Sequence, residues 1–239
     1  LYPSGHTLSE QKLTRRIDNM INRHTLFSIA AIVFSMSSTA MASDDVTPGD
    51  PEVGKALSAS CAACHGNDGN SPAPSFPKIA GLGENYLYKQ LQDIQSGSRA
   101  IVAMTGQLNG KSDQDLRDLA AYFDSQTLQI AGAKEAKVRV NAGIEVDALT
   151  LGEQVYRAGN SEVGIPSCMG CHSPRGLGNA PAGYPRLGGQ YAEYIALQLR
   201  SFRAGERTND GDSKIMRSVA EHMSDAEIDS VANYISGLN

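Results

Sequence analysis

Outside two five-residue stretches, this chain of 239 residues has no cysteine, so all of its thiol chemistry rests on four side chains. It also lacks a run of about 20 apolar residues, the length that a bilayer-spanning helix needs, which argues against a retained membrane anchor. β-Alternation of any length is missing, which leaves an all-α reading. Histidine is scarce too, and past residue 42 only His65, His172 and His222 remain.

Residues 1–42 differ from the rest. Translation from Met20 would start a basic segment, Met20 to His24, followed by an apolar core from Leu26 to Met36 and a small-x-small site at Ala40-Met41-Ala42. That order is expected of a secretory signal cleaved after Ala42, with residues 1–19 lying upstream of it. Removing residues 1–42 takes away Lys12, Arg15, Arg16 and Arg23 from the 21 basic residues, and Glu10 and Asp18 from the 26 acidic ones. The remaining 17 basic and 24 acidic residues give a net charge of −7, which argues against nucleic acid as a partner and permits steering toward a basic protein surface.

What the chain does have is a duplication. Cys61-Ala62-Ala63-Cys64-His65 and Cys168-Met169-Gly170-Cys171-His172 lie 107 residues apart. At an offset of 108, Phe76 to Gly81 matches Tyr184 to Gly189, and Leu87, Leu91 and Ile94 match Ile195, Leu199 and Phe202. Both trios run i, i+4, i+7, the apolar stripe of an amphipathic helix. At an offset of 112, Ser112-Asp113-Gln114-Asp115 meets Ser224-Asp225-Ala226-Glu227, and each reads as the capped start of a terminal helix. Gly54 aligns loosely with Gly152 in a short helix ahead of the cysteines. Two all-α domains are expected, at 43–126 and 148–239, joined by a linker at 127–147.

Zinc held by four thiolates is usually built from pairs about 15–20 residues apart, whereas 103 residues separate these pairs. Neither motif has the strand–helix setting of a thioredoxin-like site, and a disulfide within either pair would close a small strained ring. Haem attachment uses the whole motif. Cysteines at i and i+3 of one helical turn can form thioethers to the two vinyl groups, while histidine at i+4 faces the iron. Two covalently bound haem c groups are therefore expected, on Cys61, Cys64, Cys168 and Cys171, with His65 and His172 as axial ligands.

An electron-carrying haem takes a second axial side chain, and methionine sulfur raises its potential. Met104 is the only methionine of the first half after residue 42, and the first haem has no second histidine nearby. In the second half, Met169 lies inside the attachment turn and cannot reach the opposite haem face. Met223 falls opposite Lys111, while Met216 equals Met104 at the offset of 112 that also registers the capping serines. Met104 and Met216 are the expected sixth ligands. Pro77 and Pro185 sit where a stiffened loop carbonyl could accept the other ring N–H of each histidine.

On these residues the chain resembles the class I cytochromes c twice over, and most closely the dihaem cytochrome c4 family. The resemblance extends through "GNSPAPSFPKIAG", "GLGNAPAGYPRLGGQ", "RTNDGDSKIM" and "SDAEIDSVANYISGL". It implies two class I haem domains with His/Met ligation, haem edges near the domain interface, and Pro77 and Pro185 carbonyls that accept from His65 and His172. Arg99 and Arg207, aligned at 108, read as solvated arginines, with pairing to haem propionates as the alternative.

The implied function is a periplasmic one-electron carrier and not an enzyme, passing electrons from a quinol-oxidising complex to a terminal oxidase, with peripheral membrane association compatible. The competing readings are the cytochrome subunit of a periplasmic dehydrogenase and a dihaem peroxidase.

Overall fold

A computed structural model describes residues 47–239; the expected signal segment and the residues upstream of it lie outside the described residues. Each half opens with a helix whose first turn is capped by aspartate. Asp50 accepts from Glu52 and Val53 N–H to start α1 (Pro51–Leu57), and Asp147 accepts from Thr150 N–H to start α5 (Ala148–Ala158). The attachment turns follow as α2 (Ala62–His65) and α6 (Met169–His172). The middle helices are α3 (Glu84–Ser96) and α7 (Ala192–Arg203). The terminal helices are α4 (Asp113–Asp124) and α9 (Asp225–Gly237), and both start with a reciprocal capping box, Ser112 with Asp115 and Ser224 with Glu227. Each box satisfies two otherwise orphan backbone donors at a helix start.

In each half the first and terminal helices cross at glycine. A Cβ on Gly54 would run into the carbonyl of Asp118, and one on Gly152 into the carbonyl of Ser230, both closer than 3.0 Å. The crossing brings together two cores. One includes Leu87, Leu119, Ala120 and Phe123; the other includes Val155, Ile195, Leu199, Ile228 and Val231.

Asp118 and Ser230 occupy the same repeat position but do different work. Asp118 is buried and accepts from Asp50 N–H at 2.8 Å and from Gln114 Nε2 at 2.8 Å. Ser230 is 0% exposed, and its hydroxyl has no hydrogen-bond partner. An unsatisfied buried hydroxyl costs free energy that a methyl does not. Ser230→Ala is therefore expected to stabilise the second half by about 1 kcal/mol, read as an upward shift of its urea midpoint.

The expected linker is not a bare tether. Within it, β1 (Lys137–Asn141) and β2 (Ile144–Asp147) form an antiparallel hairpin, turning at Gly143 with φ +83°. Ahead of the hairpin, Leu128 is buried in the first core, and the chain is then stitched to the second half. Ala131 N–H donates to Gly189 O at 2.9 Å, Gly132 N–H to Ser236 O at 2.9 Å and Lys134 N–H to Asn233 Oδ1 at 2.9 Å. The linker thus ties both halves together.

Candidate cofactor sites

In the first half, Cys61 and Cys64 stand one helical turn apart beside His65, the spacing that puts all three on one wall. They line a cavity of about 530 Å³, within the usual range for cofactor pockets. The apolar stripe of α3, Leu87, Leu91 and Ile94, lines it too, with Leu119 and Phe123 of the terminal helix, and Met104 contributes from the loop between α3 and α4. A large apolar ring with polar substituents fits such a lining.

His65 is buried, and its Nδ1 lies 2.9 Å from the Pro77 carbonyl. That carbonyl can only accept, so Nδ1 carries the proton and the Nε2 lone pair is left for a metal. Burial also lowers the His65 pKa, which favours the neutral ring a metal requires. His172 repeats the arrangement, buried with Nδ1 2.9 Å from the Pro185 carbonyl and its pKa lowered by burial.

No disulfide joins the cysteines of either pair. Burial raises the pKa of Cys61 and pushes that of Cys168 up to about 11, so neither is poised as a thiolate. In the second half, Cys168, Met169 and Met216 pack against the same core cluster. Met223 is 3% exposed and belongs to that core, and His222 is exposed. Met216 sits in a short helix, α8 (Ile215–Ala220), whereas Met104 ends a single 3₁₀ turn, Val102–Met104.

Neither Arg99 nor Arg207 is a solvated surface residue. Arg99 is buried, donating to Gln90 Oε1 at 2.8 Å, Tyr194 OH at 3.0 Å and Gln198 Oε1 at 3.0 Å. Arg207 is half-buried, donating to Gln198 Oε1 at 2.7 Å and Gln90 Oε1 at 3.0 Å, and lies over the Phe202 ring at 4.5 Å. Tyr86, Gln90 and Arg99 correspond to Tyr194, Gln198 and Arg207 at the offset of 108. Each arginine holds its own glutamine and crosses to the other half, a reciprocal exchange of the kind a two-fold relation produces.

The same residues line the first cavity, so the second half supplies part of the first site's wall. Gln90 and Gln198 escaped sequence reasoning, although the offset already paired them. Gln190, 2% exposed, adds a second tie: it accepts from Lys78 N–H at 3.0 Å and donates to Lys78 O at 2.7 Å.

Comparison with known proteins agrees with this geometry. The cytochrome c family model matches residues 51–127 and again 149–239. The chain is 50% identical over 191 residues to cytochrome c4 of Pseudomonas aeruginosa, covering 80% of this chain and 90% of that one. It is 33% identical over 215 residues to the thiosulfate dehydrogenase electron acceptor of Stutzerimonas stutzeri, covering 89% of this chain and 94% of that one. Among solved structures, reduced recombinant cytochrome c4 from Pseudomonas stutzeri superposes with a TM-score of 0.73 at 49% identity, covering 80% of this chain and all of that one.

Proposed function

The chain belongs to the dihaem cytochrome c4 family, an electron carrier with two covalently bound haem c groups, and from that premise we propose that it works in the periplasm, relaying single electrons from a quinol-oxidising complex to a terminal oxidase. When bound, each haem supplies a one-electron iron couple. The chain's own residues hold and tune it. Cys61 and Cys64, and Cys168 and Cys171, would attach the haems covalently; His65 with Met104, and His172 with Met216, would hold their irons. The Pro77 and Pro185 carbonyls fix the ring orientation of each histidine and leave its Nε2 unprotonated, able to hold an iron. Residues 43–126 and 148–239 act as the two haem domains, with 127–147 as the strap between them. Export by a signal ending at Ala42 belongs to the same proposal.

The observation that carries the reading is the matched pair of buried histidines, each with Nδ1 on a proline carbonyl 2.9 Å away. Such pre-set rings fix one side of each iron, and a matched methionine in each half, Met104 and Met216, offers to fill the other, which a carrier needs and a peroxidase, with its open site, does not. A second reading has a specific support. The relative named as a thiosulfate dehydrogenase electron acceptor makes a periplasmic dehydrogenase a candidate donor, in place of the quinol-oxidising complex.

Stopped-flow mixing of the reduced holoprotein with a membrane terminal oxidase should show oxidation of both haems within the oxidase's turnover time. Reduction by a thiosulfate dehydrogenase, but no exchange with the oxidase, would instead select the second reading. Catalytic turnover of hydrogen peroxide by the reduced protein would overturn both.

A further inference from the structure

The repeat breaks between the arginine and the methionine of each half. Four residues lie between Arg99 and Met104, and eight between Arg207 and Met216. The four extra residues fall in a stretch that contains Asn209 and Asp210, and both side chains are fully engaged. Asp210 has 6% side-chain exposure. It accepts from Arg217 N–H at 2.9 Å through Oδ2 and from Arg217 Nε at 2.7 Å through Oδ1. Arg217 Nη2 closes the clamp on Gly211 O at 2.6 Å.

Arg217 follows Met216 directly and occupies the third position of α8. That helix gets no side-chain cap from Lys214, which sits in the left-handed region at φ +49°. Asp210 supplies from four residues upstream of Lys214 the acceptor that an N-cap normally provides, and its charge also favours the helix start. Asn209 anchors the same loop to the other half. Its Nδ2 donates to Gln90 Oε1 at 2.9 Å and to Asp93, while Lys89 Nζ donates to Asn209 O at 2.8 Å.

The first half has no counterpart. Among the described residues, no side chain hydrogen-bonds the backbone of residues 100–106; the turn is held by Met104 N–H to Ile101 O at 2.9 Å, Thr105 N–H to Val102 O at 3.2 Å and Gln107 N–H to Met104 O at 3.1 Å, and the nearest side-chain ties, Gln95 Nε2 to Leu108 O at 3.0 Å and to Lys111 O at 2.9 Å, come only after the methionine. Val102 is 93% exposed.

We propose that Asp210 is a positioning residue for Met216, clamping the second methionine's loop through Arg217, and that the unclamped Met104 is the ligand exogenous molecules displace first. The inference rests on the reading of Met104 and Met216 as axial ligands.

Imidazole titration of the oxidised holoprotein tests it, followed by the sulfur-to-iron absorption band. The band should disappear in two steps, with the step at lower imidazole concentration absent from Met104→Ala and the step at higher concentration absent from Met216→Ala. Asp210→Asn, isosteric but uncharged, should tighten imidazole binding at the second site about tenfold, the scale of one charge-assisted hydrogen bond, and leave the first site unchanged. Arg217→Gln, which removes the other arm of the clamp, should act in the same direction. A residue that only supported the global fold would move both sites or the melting temperature instead.

Equal second-site affinity in Asp210→Asn and the unaltered protein, with Met216→Ala still abolishing the second sulfur signal, would overturn the clamp and leave the ligands standing. Two sulfur signals surviving in Met216→Ala would overturn the ligand reading itself, and the clamp with it.

Discussion

Gly54→Ala and Gly152→Ala are each expected to destabilise their half by about 3 kcal/mol or more, at the upper end of overpacking costs. Helix propensity points the other way, since alanine in a helix interior gains about 1 kcal/mol over glycine. Neither glycine has a positive φ, so backbone conformation is not the constraint. Contact decides the sign. The added carbon would meet the backbone carbonyl of Asp118 or Ser230, and Tyr122 Cβ or Tyr234 Cβ beyond it, each closer than 3.0 Å. A carbonyl within a capped helix cannot rotate away, so the two helices must separate and both cores loosen.

Denaturant unfolding followed by haem absorbance is the measurement, with Gly205→Ala as the control. Gly205 has a left-handed φ of +71° but nothing within 4 Å of the added carbon. It should cost only the conformational penalty of about 1–2 kcal/mol. A Gly152→Ala loss no larger than that of the control would contradict the close-crossing account.

The second large effect concerns the proposed axial methionines. Met104→Ala and Met216→Ala should each remove one of two sulfur-to-iron bands. Each should lower the potential of its own haem by about 0.1–0.3 V, a fraction of the roughly 0.8 V span that axial ligands govern. The thioether is a soft donor that favours the reduced iron, and replacing it with water or a harder ligand removes that preference.

The effect on the other haem should be smaller but not zero. The first cavity is walled in part by Tyr194, Gln198 and Arg207 of the second half, so a change of charge at one site reaches the other through a shared, half-dry interface. A spectroelectrochemical titration of the holoprotein and both variants reads all of this at once. Retention of both bands in either variant would show that its methionine is not a ligand.

Much of the chain is legible in its sequence because the features that shape it are local. The cysteine–histidine spacing is one helical turn, the capping boxes span three residues, and the apolar stripes follow the helical period. None of these needs distant information. The duplication extended them by laying one half on the other, and it located Gly54 and Gly152 without supplying the reason they must be glycine.

That reason, and three further features, came only from tertiary structure. The carbonyls that face the glycines lie on another helix. The linker hairpin is short and irregular in pairing, and its stitches to Gly189, Asn233 and Ser236 bridge long stretches of sequence with no periodic signature. Arg99 and Arg207 read as solvated because arginine usually is, yet partners 95 to 117 residues away draw them into the interface. The four extra residues before Met216 can be counted in the sequence, as the change of offset from 108 to 112. That the loop is clamped and not slack depended on Asp210 folding back seven residues to Arg217 and on Asn209 reaching the opposite half, pairings that only the folded chain brings within hydrogen-bond distance.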